Sequence, residues 1–242
     1  MVILTEEQFQ QAATKTLWRP QLEKDNCGVG FVTSIKGIAT HKILQEGRIM
    51  LERMAHRGAC GCDNDSGDGA GVLTAIPDKL YRDEIKKNTN IDLPPHGQYA
   101  TGILFLHLDS YKQAKESFCL GEEARKTEPC IRQVFVTADY ADDKERFDRS
   151  IYILRKQTVA GMEKQSIKCY VVSLSSSTIV YKGQFNPYQL YNYYDDLMNP
   201  EFTTHLAMVH SRFSTNTFPA GKGHSQTGWS LTMEKSTPFA AT

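Results

Sequence analysis

Short apolar runs alternate along the chain with amphipathic stretches, and the two patterns predict strands and helices respectively. Strands are predicted at 27–34, 72–76, 100–108, 131–136 and 206–213, and a hairpin is predicted from 167–174 and 178–181. Helices are predicted at 41–56, 111–126, 143–157 and 187–198, and in the segment that begins with Pro77 at its first turn. The elements follow no regular strand–helix–strand alternation, which favours an α+β fold.

Two of the predicted helices have a clear apolar face. Apolar positions at helical spacing in 41–56 are Ile43, Leu44, Gly47, Met50, Leu51 and Met54, and the helix is expected to end at Arg57 and Gly58. In 143–157, Phe147, Ile151 and Leu154 share one face. The first of these helices is therefore expected to pack that face against a core.

Composition limits the classes of function. The 242 residues suffice for one domain, and 28 Lys plus Arg balance 28 Asp plus Glu. This balance disfavours nucleic acid and anionic membranes as partners and favours a small polar ligand. No apolar run approaches the ~20 residues that span a bilayer, and the apolar start at 1–4 is too short for a signal peptide. We expect a soluble cytoplasmic protein, with plastid and mitochondrion as open alternatives.

The sequence does not predict a metal site. All six cysteines are expected to be reduced, and the close pair Cys60 and Cys62 lacks the further ligands of a zinc site. The acidic segment 63–71 fails the calcium-loop register, because Asp68 stands where glycine is needed and Thr74 where a bidentate carboxylate is needed. We interpret it as a tight glycine-rich loop that shapes a pocket.

Cys27 is the candidate nucleophile. If residues 1–26 are a leader or pro-segment that is removed, Cys27 carries both a thiol and a free α-amine, whose pKa of ~7.7–8.0 suits proton transfer. The alternative from the residues alone is a small buried cysteine beside Gly28.

Five segments in order carry a family resemblance: CGVGFV at 27–32, MAHRGACGCDNDSGDGAG at 54–71, then IRQVFV, SLSSSTIVYKG, and VHSRFSTNTFPA ending at Ala220. Together they resemble the glutaminase domain at the N-terminus of the glutamate synthase large subunit, a class II glutamine amidotransferase. The resemblance implies an incomplete amidotransferase domain over 27–220. It also implies an α+β fold that is part of the four-layer αββα sandwich of N-terminal-nucleophile hydrolases.

The resemblance assigns roles to four residues. Cys27 would be nucleophile and base, and Arg57 its electrostatic neighbour, which favours the thiolate. Arg212 and Thr215 would hold the α-carboxylate of glutamine. From the residues alone, the favoured interpretation of Arg57 is a surface arginine near a helix C-terminus, and that of Arg212 is an exposed arginine in a Ser/Thr-rich loop.

The implied function is hydrolysis of L-glutamine to glutamate and ammonia through a cysteine thioester. In the complete family enzyme the ammonia serves glutamate synthesis from 2-oxoglutarate, in synthase domains that use FMN and an iron–sulfur cluster, with or without a small subunit. No cofactor is expected in this chain itself.

Residues 221–242 depart from the family pattern. There the family has Trp-x-Arg-Ala-Gln-Pro and, after a short variable segment, His-Asn-Gly-Glu-Ile-Asn-Thr, whose Asn-Gly pair supplies the oxyanion hole. This chain reads GKGHSQTGWSLTMEKSTPFAAT. Codons chosen for the family stretch and read one base later translate to residues 221–225 and 232–242. We therefore interpret the tail as an out-of-frame translation.

Two rival hypotheses stay open. One is a catalytically inactive fragment that at most binds glutamine, because the oxyanion segment is missing. The other is an unrelated soluble binding protein whose cysteines are core residues.

Overall fold

The computed structural model describes residues 28–57, 67, 69–107, 128–167 and 169–211. In this part of the chain seven strands form two antiparallel sheets. The first sheet has the order β1 (Gly28–Thr33), β7 (Leu206–Ser211), β2 (Ala70–Ala75), β6 (Thr178–Gly183). The second has the order β4 (Cys130–Thr137), β3 (Tyr99–Leu106), β5 (Cys169–Val171).

Four α-helices accompany the sheets in the described ranges: α1 (His41–Arg53), α2 (Asp78–Thr89), α3 (Lys144–Lys164) and α4 (Leu190–Tyr193). Short 3-10 helices follow α1 at Ala55–Arg57 and α4 at Asp195–Met198. The sequence predicted Pro77 in the first turn of α2. It is the N-cap, one position before that turn. No helix in these ranges is both long and apolar enough to cross a membrane.

The elements stack in the order helix, sheet, sheet, helix. Helix α1 lies on one face of the first sheet, where a Cβ on Gly47 would be 2.9 Å from the Cβ of Ala207. On the opposite face, Lys182 Nζ donates a hydrogen bond of 3.0 Å to Tyr170 Oη of the second sheet. Helix α3 packs its Phe147 against Ala100 of β3. The α+β prediction is confirmed.

Most strand predictions are confirmed within a residue or two, and helix 41–56 is present, with its last turn in the 3-10 form. Helix α3 continues to Lys164, beyond the predicted 157, and its N-cap Asp143 accepts a hydrogen bond from the backbone N–H of Arg146. Of the three apolar residues predicted to share one face, Phe147 and Ile151 are buried and Leu154 is 42% exposed.

The predicted hairpin of 167–174 and 178–181 was wrong. β5 pairs with β3 and β6 pairs with β2, so the two strands belong to different sheets. The serine-rich connection bonds to both sheets: Thr101 N–H donates to the carbonyl of Ser175, and Ile76 N–H to that of Ser177. In a two-strand hairpin, the backbone groups of this segment would bond to each other. Here they bond to the two sheets between which the segment crosses.

The predicted helix 187–198 is interrupted. Tyr194 has extended backbone angles between α4 and the following 3-10 helix, and its buried hydroxyl donates 2.9 Å to the carbonyl of Lys182. Burial of this ring among Tyr181, Phe185 and Tyr193 favours the break over a continuous helix. The predicted helix 111–126, the leader 1–26 and the tail 221–242 lie outside the described residues.

Candidate active site

One row of residues marks a common end of all four strands of the first sheet. Gly28 is the register partner of Ser211, Ser211 of Ala70, and Ala70 of Gly183. β1 and β2 begin in this row, and β6 and β7 end in it. We call these four residues the terminal row. In the sequence, Cys27 directly precedes Gly28 and Arg212 directly follows Ser211.

Helix α1 runs toward the terminal row. It begins at the other end of the sheet, where His41 Nδ1 lies 3.0 Å from the carbonyl of Phe202. Further along, Met50 Sδ occupies the space beside Gly30 of β1, where a Cβ would collide with it. The 3-10 helix Ala55–Arg57 follows α1 after Met54. Helix α1 therefore leads along the sheet toward the terminal row and into the segment that contains Arg57.

Two described glycines of the segment before β2 lie at this end. Gly69 N–H donates 3.2 Å to the carbonyl of Phe185, just after β6. A Cβ on Gly67 would collide with the backbone of Phe185 and Asn186. The close approach of the two backbones is why glycine is needed at 67. The rest of the predicted glycine-rich loop, residues 63–66 and 68, lies outside the described residues.

On the face toward the second sheet, a second row lies one residue inside the terminal row. Val29 pairs with His210, His210 with Gly71, and Gly71 with Lys182. His210 and Lys182 are 5% and 4% exposed. Burial, and secondarily the positive charge of Lys182, lower the pKa of His210 from 6.5 to about 4. The imidazole is therefore neutral at physiological pH.

Ser211 lies on the opposite face, toward α1. It is fully buried between Gly28 and Ala70, and its Oγ has no hydrogen-bond partner in the structure as described. Sequence analysis did not single out His210, Ser211 or Lys182. The available signal was that His210 and Ser211 stand directly before Arg212, at the end of a predicted strand.

The candidate residues are described only in part. Cys27, Arg212, Thr215 and the cysteine pair 60 and 62 lie outside the described residues, and Arg57 is the last residue of its 3-10 helix. Among the side chains that are described, no three His, Cys, Asp or Glu groups cluster as metal ligands would. The structure thus gives the strand ends and helix end to which these residues attach.

Comparison with known families identifies this arrangement. The family of class II glutamine amidotransferases matches the chain at residues 27–119 and 112–225, so the match begins at Cys27. The chain belongs to this family. All four residues of the terminal row lie within the matched ranges.

The relatives that the chain resembles are much longer. It is 41% identical over 238 residues to glutamate synthase [NADH] of Schizosaccharomyces pombe, covering 85% of this chain and 11% of that protein. It is 38% identical to the glutamate synthase [NADPH] large chain of Bacillus subtilis, and the match covers 87% of this chain and 15% of that protein. It is 36% identical to ferredoxin-dependent glutamate synthase 2, chloroplastic, of Arabidopsis thaliana, and the match covers 81% of this chain and 14% of that protein. The chain thus spans less than a sixth of each of them.

Proposed function

We propose that this chain is the glutaminase part of a glutamate synthase and that Cys27, as a processed N-terminus, attacks the side-chain amide of L-glutamine. The observation that supports it best is the register of β1 against β7, because Gly28 and Ser211 are partners. If that pairing continues by one residue, Cys27 and Arg212 become cross-strand neighbours, whose Cβ atoms lie ~4.5–5.5 Å apart in antiparallel pairs.

The proposed reaction uses both groups of Cys27. The thiolate adds to the amide carbon, the tetrahedral intermediate expels ammonia after its nitrogen receives a proton from the α-amino group, and a γ-glutamyl thioester remains. Water, deprotonated by the α-amine, then cleaves the C–S bond and releases glutamate. Arg57 favours the thiolate over the thiol, and Arg212 with Thr215 holds the α-carboxylate.

In the longer protein the ammonia would be used to aminate 2-oxoglutarate. The names of the relatives support this context, since all three are glutamate synthases, although they differ in naming NADH, NADPH or ferredoxin. FMN and an iron–sulfur cluster would belong to the synthase domains, which this chain does not span.

A second candidate function is glutamine binding without turnover. The observation that favours it is the tail, because residues 221–242 contain no Asn-Gly pair. Loss of an oxyanion-hole donor typically lowers turnover ~10²–10³-fold and leaves substrate contacts in place.

The test combines three measurements on the purified full chain: its N-terminal mass, glutamate release and calorimetric binding of L-glutamine. The proposal expects cleavage after Asn26 and glutamate release that Cys27→Ala lowers at least ~10³-fold. Cys169→Ala is the matched control, a half-buried free cysteine in the second sheet. Glutamine binding without glutamate release would select the second candidate function. If the chain neither binds glutamine nor releases glutamate, both candidate functions are overturned.

A further inference from the structure

Helix α3 carries a row of positive charges along its solvent side. Six exposed residues of this helix lie within about 80° of one another around its axis, since successive residues are about 100° apart. We call these residues the basic stripe: Arg146, Arg149, Ile153, Lys156, Ala160 and Lys164. The stripe is about 27 Å long and has four cations and no carboxylate, although Glu145 and Glu163 lie on its border.

The four cations of the stripe have no carboxylate partner among the described residues. By contrast, Arg48 on α1 pairs with Glu52, and Arg82 on α2 pairs with Asp78, each one turn away along its own helix. The stability of α3 does not explain the stripe either. Arg146 is in the first turn, where the helix macrodipole disfavours a positive charge. The arrangement therefore indicates a negatively charged partner.

Aromatic rings hold two of the four charges in place. Arg146 Cζ lies 4.1 Å from the centre of the Tyr140 ring, and the Tyr140 hydroxyl donates 3.2 Å to Ser150 Oγ on the same helix. Lys156 Nζ lies 5.5 Å from the centre of the Tyr152 ring. A charged side chain that is already oriented loses less conformational entropy when a partner binds. The stripe is therefore partly preorganised for binding.

The middle of the stripe is apolar, which favours a protein over a long polyanion as the partner. Ile153 is 52% exposed, and Tyr152 beside it is 60% exposed. Nucleic acids bind mainly through their phosphates, and a chain with 28 residues of each charge offers them no wide positive surface. A partner helix can contact the apolar middle and the charges together, because the stripe repeats every three or four residues.

A second copy of the chain is a poor partner for this face. It would bring four further cations to the same interface, and like charges across an interface repel each other. The buried side of α3 is already used, because Phe147 packs against Ala100 of the second sheet. The stripe therefore faces outward and requires an acidic partner of a different sequence.

We propose that the basic stripe is the docking site of an acidic amphipathic helix from the part of the longer protein that this chain does not span. The source of the helix rests on the proposed function, in which the glutaminase part needs a lasting contact with the domains that use its ammonia. The length of the relatives supports this source, since the match covers at most 15% of each of the three.

The deciding experiment is a fluorescence-anisotropy titration of the full chain with a labelled helical peptide of the length of α3. The peptide has glutamate at the positions facing the four cations and leucine at those facing Ile153 and Ala160. The double variant Arg149→Glu/Lys156→Glu should bind it at least ~tenfold more weakly than wild type, because two attractions become repulsions. The charge-conserving variant Arg149→Lys/Lys156→Arg should stay within about twofold of wild type.

The matched control for net charge is Lys36→Glu/Lys87→Glu, which reverses two exposed lysines outside α3 and should also bind within about twofold of wild type. Equal weakening by the two charge-reversed variants, or no saturable binding to wild type, overturns the inference. Sedimentation equilibrium and a single-stranded RNA probe test the other occupants. A dimer that Arg149→Glu/Lys156→Glu dissociates, or RNA that binds the stripe more tightly than the peptide does, would also overturn it.

Lysine acetylation tests the source of the helix. In the longer protein, rebuilt in the family's reading frame, Lys156 and Lys164 should be protected, whereas in this chain they should react as fast as Lys36 and Lys87. Equal reactivity in both proteins would contradict docking by the longer protein. A chain that binds the peptide but not L-glutamine overturns the proposed function and the source of the helix, and leaves the acidic chemistry of the partner standing.

Discussion

Gly28 at the start of β1 and Ser211 at the end of β7 are direct register partners, although 182 residues separate them in sequence. Because β1 and β7 are antiparallel, the chain enters the sheet through one residue and leaves it through the other at the same end. The predicted nucleophile precedes the first, and the predicted carboxylate clamp follows the second. This relationship supports a single site built from Cys27 and Arg212.

Arg212→Lys should raise KM for glutamine about tenfold and leave kcat nearly unchanged. A lysine keeps the charge but cannot bind a carboxylate through two parallel hydrogen bonds, and a contact made equally in ground and transition states affects KM alone. Steady-state glutamate release measures both constants, and Kd replaces KM if the chain binds without turnover. The control is Arg48→Lys on α1, where the arginine pairs with Glu52. A fall in kcat with constant KM would contradict the clamp assignment.

Acidification should destabilise the domain through His210. Its pKa is about 4 in the folded chain against an ordinary value of 6.5, so the unfolded chain binds the extra proton first as the pH falls. Protonation of His210 does not affect the free energy of unfolding above pH 6.5. It lowers that free energy by about 3 kcal/mol as the pH drops toward 4, and the effect changes no further below that. Urea unfolding of wild type and His210→Leu at pH 7.5 and 4.5 measures it. The variant should lose less stability than wild type, and equal losses would refute the assignment.

The elements that local periodicity determines could be predicted. Leu44, Leu51 and Gly47 repeat at helical spacing and are buried on α1, and the apolar runs of β1, β2 and β7 are strands. Which strands pair was not predictable in the same way. The runs that became β5 and β6 are close in sequence and both apolar, yet backbone bonds from Thr101 and Ile76 hold their connection between two sheets. Long-range pairing of that kind leaves no local pattern.

The candidate site, like the fold, could be predicted only in part. Family resemblance identified the segments that carry Cys27 and Arg212, whereas the sheet register, which no local pattern gives, joins their strand ends. His210 was overlooked because a histidine in an apolar strand looks like an ordinary core residue. Only the burial of its Nε2 without a hydrogen-bond partner among the described residues distinguishes it.

Replacing Gly102 and Gly161 by alanine should change the free energy of unfolding in opposite directions. A Cβ on Gly102 of β3 would collide with the carbonyl of Ser173, so Gly102→Ala should lower the free energy of unfolding by ~1–3 kcal/mol. Gly161 lies inside α3 with nothing within 4 Å of its would-be Cβ, so Gly161→Ala should raise it by ~0.5–1 kcal/mol. Urea denaturation at pH 7.5 measures both. Destabilisation by both substitutions would contradict the open surroundings of Gly161.

The last prediction concerns residues 221–242, which lie beyond the described part of the chain. If they are an out-of-frame translation, genomic DNA and transcript across the codons for 219–223 should encode Trp-x-Arg-Ala-Gln-Pro and the Asn-Gly pair one base earlier. A chain rebuilt in that frame should release glutamate at least ~10²-fold faster than the present one, because it regains the oxyanion donor. Its Arg212 contacts with glutamine should be unchanged. Bases that encode the family stretch in no frame would show the tail to be a genuine variant, and equal rates would show that the Asn-Gly pair is not what limits turnover.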